Sequence, residues 1–404
     1  MLFNLVQSSQ VWLDSVGLYP VVQVMFQVEF RAFLAVLLSM TLVLALMPRL
    51  IRALRAVKVA DDPEFYGADL NQLMASKRGT PTMGGILLCG SVFLTVALLC
   101  DVMHSRYVHV CLVVLAWLAG LGAWDDWMKL TEASRAKRNG GKRSRDGLRA
   151  WEKLVFQLVI GAIAGWFIWQ AAQVPDALVA NLPFQRTYLP APTEGSLVAL
   201  DIAPGVWQMG AIAFVLVAML VIAFTSNAVN LTDGLDGLAG GTLLVACLAM
   251  MVLAWIASSQ RAAYFLMVPW VPGSGELMVV AGAMAGACMG FLWFNVAPAQ
   301  IFMGDTGSLA MGGLLATVAV CIRQEALLLV VGGVFYAEAF SVMGQVGWFK
   351  FTRARFGEGR RLLLCAPVHH HFQMSGWKET QVVGRFWLVA VTLAILALVS
   401  LKLR

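Results

Sequence analysis

The sequence predicts an all-α polytopic membrane protein with about ten transmembrane helices. Three observations predict it. The 404 residues are 60% hydrophobic and 13% charged, with a mean hydropathy of +0.77, whereas a soluble domain is about 25% charged. Ten apolar runs approach the roughly 20 residues needed to span a bilayer: 24–48, 83–103, 107–124, 153–173, 207–226, 241–258, 277–296, 307–322, 326–346 and 383–401. The short alternating segments of an outer-membrane barrel are missing, which leaves helices as the backbone-satisfied way across.

Residues 1–23 carry Gln7, Gln10 and Asp14 and no basic n-region, so they read as an interfacial segment with Trp12 and Tyr19 as anchors rather than a cleavable leader. Residues 24–404 then form one catalytic transmembrane domain. Its connections alternate in charge. The set 49–82, 125–153, 227–240, 295–306 and 347–382 with the adjoining Arg385 holds 22 of the 29 Lys and Arg. The positive-inside rule places that set in the cytoplasm and both termini outside. Two of these connections, 227–240 and 295–306, have no basic residue, and their side follows from parity alone. The seven cysteines are scattered without a CxxC and read as small core hydrophobes.

Each cytoplasmic connection contains a polar island. The first opens on a stripe of Arg49, Arg52, Arg55 and Lys58, which suits anionic headgroups. It closes on SKRGTPTMGG, where Gly79, Pro81, Gly84 and Gly85 predict an ordered turn that brings Lys77 and Arg78 toward phosphate. The second begins with Asp125 and Asp126. Read as the C-terminus of a helix, these acids are misplaced against the dipole, which favours a functional role. Its basic remainder lacks GxxxxGK[ST] and is no phosphate loop. The third, NAVNLTDGLDGLAG at 227–240, holds Asn227, Asn230, Asp233 and Asp236. If 230–238 is helical, Asp233 and Asp236 share a face.

The fourth, in WFNVAPAQIFMGDTGSL, places Asp305 as a possible N-cap of the eighth span. The ninth span carries Glu338, either a functional carboxylate or one buried against a helix partner. The last connection presents His369, His370 and His371, whose consecutive spacing argues against zinc and for contact with phosphate. The external segment 174–206 carries no chemical signature. Five aspartates on one face suit a hard cation such as Mg2+, and Lys77, Lys129 and the histidines suit phosphate oxygens. The reaction class these predict is Mg2+-dependent phosphoryl transfer at a membrane surface; no nucleic-acid module is present. A secondary transporter is the rival of a different class.

These motifs resemble the polyprenyl-phosphate N-acetylhexosamine-1-phosphate transferase superfamily. Within it, SKRGTPTMGG, NAVNLTDGLDGLAG, FMGDTGSLA and PVHHHF are similar to the phospho-N-acetylmuramoyl-pentapeptide transferases, over about residues 24–402. Gln373 stands where that family's last motif has an acid, and loops 130–150 and 174–206 look long for the family. The resemblance implies transfer from UDP-MurNAc-pentapeptide to undecaprenyl phosphate, giving lipid I and UMP for peptidoglycan synthesis. It implies a homodimer in the bacterial cytoplasmic membrane. A sister enzyme using UDP-GlcNAc is the near alternative.

Carried onto this chain, the resemblance makes Asp305 the first Mg2+ ligand, with Asp125 and Asp126 as possible partners. Asp125 faces the lipid phosphate, with Asp126 beside it. Lys129, His369 and His370 hold phosphates. Asn230, Asp233 and Asp236 place the nucleotide, Asp236 and Lys77 near uracil or ribose. Phe302 stacks on uracil and Asn295 hydrogen-bonds nearby. Thr82, Asn227, Ser308 and His371 complete the substrate-binding set. Single-step transfer and a covalent aspartyl intermediate both remain open.

Overall fold

The computed structural model describes residues 1–56, 79–139 (side chains to 131), 147–172, 174–189 and 201–403. Among these the chain is helical, with two isolated β-bridges and no strand. The main helices are α1 (Val28–Ala56), α2 (Gly85–Leu99), α3 (Arg106–Asn139), α4 (Ala150–Ala171), α5 (Ala211–Thr232), α6 (Leu238–Ser258), α7 (Glu276–Asn295), α8 (Gly304–Cys321), α9 (Glu325–Val331), α10 (Gly333–Phe356), α11 (Val368–Met374) and α12 (Glu379–Ser400). Nine of the ten predicted spans each fall on one of these helices, and 326–346 falls across α9 and α10.

Two spans depart from the simple picture. Among the described residues eight helices are long and apolar enough to cross a membrane, and α9 and α10, bent by 83° at their junction, make a ninth if the pair is one broken span rather than a re-entrant loop. The bend falls at Gly332, between the two helices. The tenth candidate, α2, has only 15 residues, or about 22 Å at 1.5 Å per residue, against a hydrocarbon core of about 30 Å. Two helix ends also move. α1 continues to Ala56 through Pro48, so the first connection starts later than 49. α3 continues to Asn139, so Asp125 and Asp126 are interior to a helix rather than at its C-terminus, and the dipole argument for them does not apply.

α8 is the most deeply buried span and α12 the least. α8 occupies the centre, packed on α2, α3, α5 and α6. Glycines let backbones approach where side chains would keep them apart. A Cβ on Gly85 would lie 2.1 Å from the Gly307 nitrogen, and one on Gly122 would lie 2.3 Å from the Asp305 carbonyl oxygen. Both contacts bring a neighbouring helix onto the first turn of α8.

The two faces of the bundle are distinct. At one, the backbone amides of Gly84 and Gly85 donate to Phe302 and Met303 at the start of α8. At the other, buried Arg31 pairs bidentately with Glu276 at 2.7 and 2.8 Å and donates to the Leu99 carbonyl at 2.9 Å. The Glu276 carboxylate also accepts the Asp101 amide at 3.0 Å, and Asn4 donates to Asp101 at 2.5 Å. This network docks the short N-terminal helices, with Phe3 and Val6 buried and Trp12 exposed. Lys402 sits over the Phe265 ring on the same face, so both termini lie opposite the start of α8. All seven cysteines are free, six of them buried.

Gly85→Ala should lower the thermal unfolding midpoint in detergent and the yield of monodisperse protein, because the obstacle is backbone. Gly90→Ala on the same helix meets nothing within 4 Å and should be neutral or stabilising by up to about 1 kcal/mol from helix propensity. Equal behaviour of the two variants would refute the close α2–α8 contact.

Candidate active site

The site is built on the first turn of α8, and Asp126 holds that turn. Its Oδ1 accepts the Asp305 amide at 3.2 Å, and its Oδ2 accepts the Thr306 amide at 3.0 Å and the Thr306 hydroxyl at 2.7 Å. The residue before the helix, Met303, makes no side-chain cap. Asp126 therefore satisfies orphan amides of α8 from another helix, the job an N-cap residue does locally. Asp305 is not the cap expected from the sequence. It lies one residue inside the helix, and with its amide taken by Asp126 its carboxylate is left to face the site.

That carboxylate is shared among cations and an amide. Asp305 Oδ2 stands 2.7 Å from Lys153 Nζ and 3.1 Å from Lys129 Nζ. Its Oδ1 accepts Asn230 Nδ2 at 2.9 Å. The same two lysines meet Asp125 Oδ2 at 2.6 and 2.7 Å, and Asp125 Oδ1 accepts the Leu148 amide at 2.7 Å. Asp125 is wholly buried. Three carboxylates and two ammonium groups thus form one knot, charge-assisted at every contact. Lys153 is absent from the sequence-derived residues. It stands in a run of Lys and Arg that reads as solvated loop, and only α4 brings it across to Asp125. Its place one turn inside an apolar helix was the available signal.

Asp125, Asp126 and Asp305 each offer an oxygen within 4.8 Å of the others, the one such group among the described residues. Hard carboxylate oxygens fit Mg2+. All three carboxylates already have protein partners, Asp126 on the amides of α8 and Asp125 and Asp305 on Lys129 and Lys153, so an ion here would share these oxygens with the donors they now hold.

The third polar island closes the site on another side, in a different conformation from that expected. α5 ends at Thr232, and α6 begins at Leu238 after Gly237 takes a φ of +82°. Asp233 and Asp236 are in this turn and do not share a helical face. The two glycines break the helix that the i,i+3 argument assumed. Asn230, on the last turn of α5, reaches both Asp305 and, at 2.8 Å, Ser308. Asn227 is turned instead into the helix interface, donating to Gln157 at 2.5 Å and to the Ala223 carbonyl at 2.8 Å. Asp236 Oδ2 accepts the Ala299 amide at 2.9 Å, and the Asp236 amide donates to Glu379 at 2.9 Å. Asn295 accepts the Gly237 amide and donates to the Ile301 carbonyl, both at 2.9 Å. Asp236 and Asn295 therefore tie the 233–237 turn to the 296–301 loop. Gln157 and Glu379 are further polar partners that sequence reading missed.

The first island joins the same place. Phe302 donates its amide to Pro81 at 2.9 Å and accepts from Gly84 at 2.9 Å, and the Phe302 ring is half-buried. The Thr82 hydroxyl lies near Gly304, 3.1 Å from where a Cβ would stand. Lys77 and Lys58 lie outside the described residues. The histidines diverge along α11, so no single ion could gather them. His369 Nδ1 is 3.1 Å from Glu338, His370 Nδ1 is 2.8 Å from Gln373, and His371 Nδ1 accepts the Leu364 amide at 3.2 Å. Glu338 is buried against a helix partner, the second of its two expected readings.

Residues 108–323, 216 of 404, match the family model for glycosyl transferase family 4. The chain belongs to that family. Residues 77–89 also match signature 1 of the phospho-N-acetylmuramoyl-pentapeptide-transferases. The glycosyl transferase family 4 match encloses Asp125, Asp126, Lys129, Lys153, Asn230 and Asp305, and the signature encloses the 79–85 turn that docks on Phe302 and Met303. The chain is thus a phosphoglycosyl transferase of the type that signature marks, built as a multi-pass membrane protein.

Asp126→Ala should cost about 1–3 kcal/mol, because it leaves buried amides of α8 without an acceptor. Asp126→Asn, which keeps one acceptor oxygen, should fall between the variant and the native protein in chemical or thermal unfolding. Wild-type stability of Asp126→Ala would show that α8 needs no cap from α3.

Proposed function

We propose that this chain transfers phospho-MurNAc-pentapeptide from UDP-MurNAc-pentapeptide to undecaprenyl phosphate, forming lipid I and UMP. In this reading the site faces the cytoplasm, the protein is a homodimer of the bacterial inner membrane, and the product serves peptidoglycan synthesis. The observation that carries it is the junction of signature and chemistry. The segment matching the pentapeptide-transferase signature is hydrogen-bonded onto the loop that delivers Asp305, within the same knot as Asp125, Lys129 and Lys153.

The reaction is a phosphoryl transfer between two phosphates. An oxygen of the lipid phosphate, already largely ionised near pH 7 since its second pKa is about 6, forms a bond to the sugar-linked phosphorus. The bond from that phosphorus to the bridging oxygen breaks, and its electron pair leaves on UMP. No proton need be removed from the nucleophile, so the burden on the protein is charge and placement. When bound at Asp125, Asp126 and Asp305, Mg2+ would offset charge on the pyrophosphate. Lys129 and Lys153, already sharing those carboxylates, supply donors to phosphate oxygens as the anions arrive. Asn230 holds the free oxygen of Asp305 in register. The nucleotide lies toward Phe302 and the 233–237 turn. Exposed Phe340 and Met343 on α10, with Phe340 packed on Phe224, offer apolar surface for the polyprenyl chain. A single step is the reading supported here, since Asp125 and Asp305 are each already held by two lysines.

The test is UMP release by the purified chain with undecaprenyl phosphate, comparing UDP-MurNAc-pentapeptide with UDP-GlcNAc, with Mg2+ and with chelator. Turnover should require the pentapeptide substrate and Mg2+. Preference for UDP-GlcNAc would move the chain to the sister activity. Lys153→Ala should lower kcat by about 10²–10³, the range for loss of one preorganised donor. Near-native kcat for Lys153→Ala would remove it from the chemistry, and a radiolabelled phospho-sugar trapped on the protein without acceptor lipid would overturn the single step.

A further inference from the structure

Glu338 has no part in the knot around Asp305, yet it is a fully buried carboxylate in the second turn of α10. Such a group in a membrane helix persists only with a partner. Its Oε2 stands 3.1 Å from His369 Nδ1 and accepts the His369 backbone amide at 3.4 Å. His369 is itself wholly buried at the start of α11, with the His370 ring edge-on at 4.2 Å.

The far side of the imidazole points at the third polar island. His369 Nε2 lies 2.4 Å from where a Cβ on Gly234 would stand. The ring fills the space a side chain would take and rests on the backbone of the 233–237 turn. Four residues earlier, Asn230 holds Asp305 and Ser308; two later, Asp236 ties the turn to Ala299. A chain of contact therefore runs from α10 through α11 to the turn beside α8.

We propose that Glu338 is a positioning residue that acts through His369, holding the imidazole against Gly234 and so setting the 233–237 turn relative to Asp305. A carboxylate 3.1 Å from one imidazole nitrogen favours one orientation of the ring, and where an imidazole binds a metal, losing such an orienting partner typically costs 10- to 100-fold in affinity or activity. The consequence for the site rests on the transferase reading above: the turn is the nucleotide side, so loosening it weakens nucleotide binding more than it slows the bond-forming step.

The experiment uses the full-length protein in detergent and compares wild type, Glu338→Gln, His369→Ala and the double variant. Hydrogen–deuterium exchange over residues 230–238 is the first readout and needs no activity. Exchange should rise in both single variants, and the double variant should match His369→Ala. The second readout is KM for the uridine nucleotide substrate, which should rise about 10- to 100-fold in Glu338→Gln with kcat reduced less, and with no further change when His369 is already Ala. His369→Ala, which leaves Glu338 intact, reads the same turn independently and stays informative if the Glu338 variant folds poorly. Native exchange over 230–238 in Glu338→Gln, or effects of Glu338→Gln that add in full to those of His369→Ala, would overturn the inference. A wild-type chain that releases no UMP would instead refute the transferase reading, and the exchange data would still decide the role of Glu338.

Discussion

The hold of Asp126 on the first turn of α8 is the constraint on which the rest of the site depends. A helix that begins inside a membrane protein has amides that neither water nor lipid can satisfy. Here a single carboxylate from α3 takes the amides of Asp305 and Thr306 together with the Thr306 hydroxyl. That bond set fixes the phase of α8 about its own axis. Once the phase is fixed, Asp305 faces Lys129, Lys153 and Asn230, and Ser308, one turn on, meets Asn230 as well. The neighbouring Asp125, in the same carboxylate cluster, receives the same two lysines. Adjacent aspartates thus divide the work: one orients the helix, and the other joins the charged site.

The charge arrangement also shows why so many ionised groups are tolerable at this depth. A lone buried carboxylate would be strongly disfavoured. In the knot every carboxylate oxygen that the contacts describe has a cationic or amide donor, and every ammonium is shared by two acids. The same arrangement gives the site its readiness for phosphate. Lysines already drawn to one locus by aspartates need little reorganisation to meet an anionic substrate there. The opposite face of the bundle uses the same physics for a different end: Arg31 and Glu276 pair as a buried bidentate unit and hold α1, α2 and α7 together far from the site.

Much of this was legible in the sequence, and what was not has identifiable causes. Hydropathy located the apolar helices because burial in lipid requires runs of apolar residues whatever the tertiary contacts, but its count of ten exceeds the eight or nine that, among the described residues, are long enough to cross. It did not show that α2 is short or that the ninth span bends at Gly332, because both depend on where backbone amides find partners. The polar islands containing Asp125, Asn230 and Asp305 stood out against apolar flanks. The roles within them did not. Asp126 and Asp125 are indistinguishable as letters, and only the approach of α8 past Gly122 assigns one to capping. Lys153 was hidden among other basic residues of its connection, since a lysine that crosses to another helix reads the same as one that meets solvent. Asn227, Asp236 and Asn295 were correctly marked as polar and out of place, yet in the structure they bond to protein partners within the scaffold.

The short α2 explains how such a site can sit within a membrane bundle at all. A helix of about 22 Å cannot reach both surfaces of a core of about 30 Å. One end of α2 is anchored at Leu99 by Arg31 on the far face, so the other end, Gly85, stops about a turn and a half short of a full crossing. The 79–85 turn meets Phe302 and Met303 at that end, which ties the start of α8 to the end of the short helix. Non-helical backbone within a bundle is acceptable only where protein covers it, and Phe291 of α7 with Ile301, Phe302 and the first turn of α8 lie against Gly84 and Gly85. The acids of the knot are therefore recessed in protein rather than exposed to lipid. In the reaction proposed above, that placement would let a water-soluble nucleotide and a lipid-borne phosphate meet at one site, the lipid without leaving the bilayer.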